Sequence, residues 1–206
     1  MHRYVRLLIA SLCAAAALSL AAGTGSARNL SISIRPLRAV WTSLEFRNNL
    51  GSNVVRCPVT LEGSFNSATI GKVVRVLIGM VRRAEVGACT GGHVTIHQET
   101  LPWRRTYEAF FGILPRITRL KILLLFASFE IESGGLTCIA RTEEGHPGVG
   151  NLNLNEATGE VTSFSMEEAT TIPLTGGLCS LGEGSLAGTS GPVKEPGGAD
   201  VKIKLI

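Results

Sequence analysis

Apolar and polar residues alternate with period two along short stretches of this chain, separated by Gly, Pro, Asn and Ser. In Cys57-Pro58-Val59-Thr60-Leu61-Glu62-Gly63-Ser64-Phe65 the apolar Val59, Leu61 and Phe65 are spaced by polar residues, the mark of a strand with one buried and one wet face. A near-echo, Cys179-Ser180-Leu181-Gly182-Glu183-Gly184-Ser185-Leu186, also sets a cysteine ahead of Glu-Gly-Ser and an apolar residue. Further strands are expected at Leu30–Ile34, Val40–Phe46, His93–Leu101, Tyr107–Leu114, Leu136–Arg141, Asn151–Asn155, Val161–Met166 and Val201–Leu205. Leu120–Ile131 is apolar on both faces through Ile122–Ala127 and reads as one central strand covered on both sides.

Lys72–Val86 fits two patterns. Ile70, Val73, Val74, Leu77, Ile78 and Val81 would share a helix face. The β-branched Val73, Val74, Val76, Ile78, Val81 and Val86 favour a pleated surface instead, and Gly79 would cost a helix about 1 kcal/mol. The segment is read as a strand bulged at Gly79. About ten strands at this spacing predict one all-β domain over residues 28–206, a two-sheet sandwich first and a closed barrel second.

The N-terminus changes the setting. Arg3 and Arg6 precede an apolar run, Leu7–Leu20, and small residues follow to Ala27. This is the plan of a secretory signal peptide, residues 1–27, with cleavage expected after Ala27 and Ala22 as second choice. The run is shorter than the roughly 20 apolar residues a bilayer-spanning helix needs, and no other stretch is long enough, so no transmembrane span is expected in the mature chain. Cleavage would leave 179 of the 206 residues and, by removing Arg3 and Arg6 but no acid, take the net charge from +4 to +2. So mild a charge gives no support to a nucleic-acid partner.

Loss of Cys13 with the signal leaves Cys57, Cys89, Cys138 and Cys179. An even number in an exported chain predicts two disulfides, and no Cys-x-x-Cys pair suggests zinc. Three pairings are open; Cys57–Cys89 with Cys138–Cys179 is preferred because each closes a local loop.

Candidate chemistry is sparse. His93, Thr95, His97 and Glu99 would share a strand face, but His93 and His97 would lie about 13 Å apart, too far for one ion. His97 with Glu99 would need a third ligand such as His146. No Gly-x-Ser-x-Gly elbow occurs, and Asp200 is the sole aspartate. Glu130, Glu132, Glu143, Glu144, Glu167 and Glu168 read as a wet surface rather than paired catalytic carboxylates. Gly182-x-Gly184-x-x-Ala187 lacks the helix a dinucleotide loop requires. No cofactor, metal or catalytic residue is assigned. Trp103, Arg104 and Arg105 are the candidate surface contact, with Arg82, Arg83 and the Arg116, Arg119, Lys121 group as further basic clusters.

The order of Cys57 before Val59–Phe65, Cys89, Leu101-Pro102-Trp103, the apolar Leu120–Ile131, Cys138, and Cys179 before Glu183–Leu186 resembles small exported bacterial activators of alkane oxidation. It is also similar to other exported proteins with the same plan. The resemblance implies an extracytoplasmic β protein associated with apolar material, and it brings no catalytic residues. The expected function is therefore a non-enzymatic secreted or cell-envelope protein that binds or coats an apolar or polymeric surface. A carrier of an apolar ligand and a small secreted hydrolase are the alternatives.

Overall fold

The computed structural model describes residues 29–48, 54–167, 172–175, 179 and 183–206. The expected signal peptide and Cys13 fall outside them. The strands are β1 (Asn29–Ile32), β2 (Pro36–Asn48), β3 (Val54–Phe65), β4 (Thr69–Gly71), β5 (Leu77–Val86), β6 (His93–Ile96), β7 (Trp103–Phe111) and β8 (Arg119–Leu125). They continue with β9 (Ser128–Ser133), β10 (Leu136–Arg141), β11 (Gly148–Leu154), β12 (Val161–Met166), β13 (Ile172–Thr175), β14 (Glu183–Thr189) and β15 (Ile203–Leu205). The fold is all-β, and both expected disulfides form.

Eight antiparallel strands run in the order β12-β11-β8-β7-β5-β3-β2-β14, and β14 returns to β12 through Ser165↔Thr189 and Met166↔Gly188. That pairing closes a barrel, the second of the two architectures expected, where a pair of open sheets was expected first. The other half of β14 pairs with β13 through Ile172↔Gly184, and the sheet continues as β10, β9 and β6. A separate three-stranded sheet, β15-β1-β4, joins the two ends of the described chain.

Alternation decides which side chains fill the barrel. Trp41 opposes Val59, Ala39 opposes Leu61 and Phe46 opposes Val55, all buried on one face, while Arg38 and Glu62 pair on the other. Trp41 packs on Phe164 across the lumen, ring centroids 5.2 Å apart. Gly150 makes room for this, since a Cβ there would overlap the Phe164 ring. At one end the β6-β9-β10-β13 flap covers the inner face. Phe129 of β9 meets Phe46 at 5.5 Å and Trp103 at 5.3 Å, so a two-layer arrangement survives locally.

Of the boundaries that differ from the sequence reading, three change the path of the chain. Leu120–Ile131 is two strands, not one: the chain leaves the barrel at Phe126 (φ 67°) and enters the flap. Thr142 holds this corner, its Oγ1 accepting from Ala127 N at 2.9 Å. The two-sided burial persists over Ile122–Leu125. His93–Leu101 ends as a strand at Ile96, where a 3-10 turn over Gln98–Thr100 intervenes; Thr100 Oγ1 accepts the Trp103 indole N–H at 2.8 Å. Lys72–Val86 contributes a strand only from Leu77, with its register shift between Leu77 and Gly79 against β7.

Candidate surface-binding site

Cys57–Cys89 ties the end of β5 to β3, and Cys138–Cys179 ties β10 to the approach of β14, with sulfurs bonded at 2.07 and 1.97 Å. The basic cluster after Leu101-Pro102 does not behave as one surface. Trp103 is fully buried and Arg105 is 1% exposed, which removes both from any external contact; Arg104 alone is exposed. The reason is strand parity: Trp103 opposes Val81 and Arg105 opposes Gly79, so both enter the lumen while Arg104 points out.

Arg105 is an unusual lumen residue. Its guanidinium lies over the Phe65 ring, 5.0 Å from the centroid, and Nη2 donates to the Met80 carbonyl at 3.5 Å. Its Nε has no hydrogen-bond partner among the described residues. Burial lowers its pKa to about 10, which still leaves it charged at neutral pH. Gly79 is required opposite it, because a Cβ would press on the guanidinium.

The histidines sit apart from one another. Ser128 Oγ lies 3.0 Å from His97 Nδ1, and Glu99 and Glu130 approach the ring at 3.8 and 4.0 Å. Such a Ser-His-Glu grouping has the ingredients of a hydrolytic centre. Ser128 is only 2% exposed, however, so its hydroxyl cannot reach a substrate. The contact follows from strand pairing, since His97 N also donates to Ser128 O. A groove of about 720 Å³ runs beside β6, lined in part by Val40, Thr60, Glu85, His93 and Ile96.

The most exposed apolar side chains gather elsewhere. Among the described residues, six of the eight exposed large hydrophobics lie on two loops: Val73, Val74 and Val76 before β5, and Phe111, Ile113 and Leu114 at the β7–β8 hairpin. Ile113 is 84% exposed and Leu114 56%. The loops are neighbours. Arg75 N donates to Tyr107 O at 2.8 Å, Tyr107 N donates to Val76 O at 3.0 Å, and Lys72 Nζ sits 4.8 Å from the Phe110 ring.

The hairpin tip is defined by its hydrogen bonds. The ladder ends at Phe111↔Arg119, Thr118 N donates to Phe111 O at 2.8 Å, and Arg116 N donates to Ile113 O at 2.9 Å. This turn holds Ile113 and Leu114 outward, where hydrophobic packing cannot reach them. Exposing such a pair forgoes roughly 1.5–3 kcal/mol per side chain relative to burial.

Cations surround the tip. Arg119 stacks on Phe111 at 4.1 Å, Arg116 is exposed beside it, and Lys204 shares a cleft of about 180 Å³ with Pro115 and Arg116. Arg75 pairs with Glu108 at 3.5 Å and donates to the Glu144 carbonyl, and Glu156 lines the cleft of Arg116 and Lys204. The sequence reading placed these apolar residues in strands and missed the patch. The visible signal was Gly112 and Pro115 bracketing Ile113-Leu114, a turn whose centre is apolar where turns are ordinarily polar.

No family model, curated protein or solved structure matches this chain.

Proposed function

We propose that this is a non-enzymatic, exported protein, secreted or held at the cell envelope, that binds an apolar surface through the Val73–Val76 and Phe111–Leu114 loops. The observation that carries the reading is the concentration of exposed aliphatic side chains on two adjoining loops at the β7–β8 end of the barrel. Contiguous exposed apolar groups rimmed by charge mark interaction sites rather than neutral surface. The paired cysteines support an oxidising compartment, and the N-terminal sequence supports export. The resemblance to exported activators of alkane oxidation points the same way.

The alternatives have less behind them. A carrier needs an apolar lumen, and here Trp41, Phe65, Trp103, Phe164 and a charged Arg105 occupy it. A hydrolase needs an accessible nucleophile, and Ser128 is buried.

The test is adsorption to a hexadecane–water emulsion. The wild-type protein is expected to partition to the interface, and Ile113→Ser with Leu114→Ser to lower that affinity at least tenfold while leaving the melting temperature unchanged. Equal adsorption by both proteins would refute the assignment.

A further inference from the structure

We infer that the surface bound is an anionic lipid bilayer, with Ile113 and Leu114 seated at the headgroup–acyl boundary and the surrounding cations on the headgroups. This inference rests on the surface-binding reading and narrows its partner.

The ordering of chemistry along the hairpin carries it. Ile113 and Leu114 stand two to three residues beyond the last ladder pair, Phe111↔Arg119, in a turn that carries them ahead of Arg119 by at most roughly 7–10 Å, the extended-chain limit. That matches the roughly 5–10 Å by which interfacial segments enter a bilayer. Phe111 and Arg119 stand at that ladder pair, Arg116 and Lys204 flank the turn, and Lys72 shares the adjoining loop with Val73, Val74 and Val76. Arg75 is taken up by Glu108 and the Glu144 carbonyl, which leaves Lys72, Arg116, Arg119 and Lys204, none of them in an ion pair among the described residues, with Glu156 in the cleft of Arg116 and Lys204.

Other partners satisfy one half of this arrangement. An oil phase or apolar polymer would cover the aliphatic tip but leave Lys72, Arg116, Arg119 and Lys204 without counter-charge. A soluble polyanion would meet the cations and leave Ile113 and Leu114 in water. A bilayer containing anionic phospholipid stacks the two chemistries in the same order, apolar beneath negative. Long Arg and Lys side chains keep their heads at that level while their stems lie on apolar surface.

The experiment is co-sedimentation of the purified protein with large unilamellar vesicles of phosphatidylcholine alone, or of phosphatidylcholine and phosphatidylglycerol at 7:3, beside the hexadecane emulsion. The expected results are at least tenfold tighter binding to the phosphatidylglycerol vesicles, weakening in high salt, and loss in Ile113→Ser with Leu114→Ser. Arg116→Glu with Lys204→Glu should erase the phosphatidylglycerol preference, read as the ratio of binding to the two vesicle types. Adsorption to hexadecane with no binding to phosphatidylglycerol vesicles would overturn the bilayer while leaving the surface-binding reading in place. Failure of both would remove both. Phosphatidylglycerol binding that ignores the Ile113 and Leu114 changes would show charge attraction alone and overturn the insertion.

Discussion

Arg105 shows how strand parity overrides residue character. A guanidinium in a lumen with one long hydrogen bond and an aromatic face is poorly compensated for its lost hydration. Its folded pKa, about 10, lies below the ordinary guanidinium range, so the folded state disfavours the charge at lower pH, and relief comes only as pH rises through 10. Arg105→Met is therefore expected to stabilise the protein by about 1 kcal/mol or more at any pH from 5 to 9, read by chemical denaturation. A loss of stability would show that the guanidinium has a partner this account lacks. Glu45 is the opposite case. Hydrogen bonds from Arg47 and then Arg56 hold its carboxyl below 4.5, so its contribution is present above 4.5 and is lost as pH falls through the lower folded value. On a solvated face this amounts to about 1 kcal/mol at most. Glu45→Gln should lower the melting temperature at pH 7, and the gap should close under more acid conditions; a gap independent of pH would contradict the ion-pair origin.

At the scale of elements, period-two alternation was the readable signal. Leu136–Arg141 and Val161–Met166 are strands with those bounds, because each has one face on the core and one in water. The reading failed where both faces were apolar. Leu120–Ile131 carries no alternation to mark the corner at Phe126, and that corner is set by Thr142, just past the end of β10. Val73, Val74 and Val76 look like strand residues by type, yet they form a loop because the chain turns there, Val76 N donating to Val73 O and Arg75 lying at φ 66°. The candidate site was illegible for the same reason: β-propensity reports a preference for pleated, half-covered surface, and these side chains have no cover. Trp103-Arg104-Arg105 was selected as a surface cluster by charge, and alternation places two of its three members inside.

For the whole molecule, the central fact is that one sheet both closes on itself and extends into a flap, branching at β14. The disulfides clamp the two places where this is hardest to hold, Cys57–Cys89 beneath the turn into β6 and Cys138–Cys179 where the flap rejoins β14. They join residues 32 and 41 apart, for which chain entropy gives about 4 kcal/mol each. Replacing Cys138 and Cys179 together by Ala should cost roughly that much in a denaturation experiment, whereas an unchanged midpoint would mean that the flap is held by packing alone. With the scaffold so fixed, the β7–β8 hairpin is a rigid mount for its apolar tip. Interfacial adsorption to hexadecane, measured side by side for the wild type and for Ile113→Ser with Leu114→Ser, tests that assignment most directly. The account predicts strong adsorption by the first, a loss of at least tenfold in the second and no change in melting temperature; indistinguishable isotherms would contradict it.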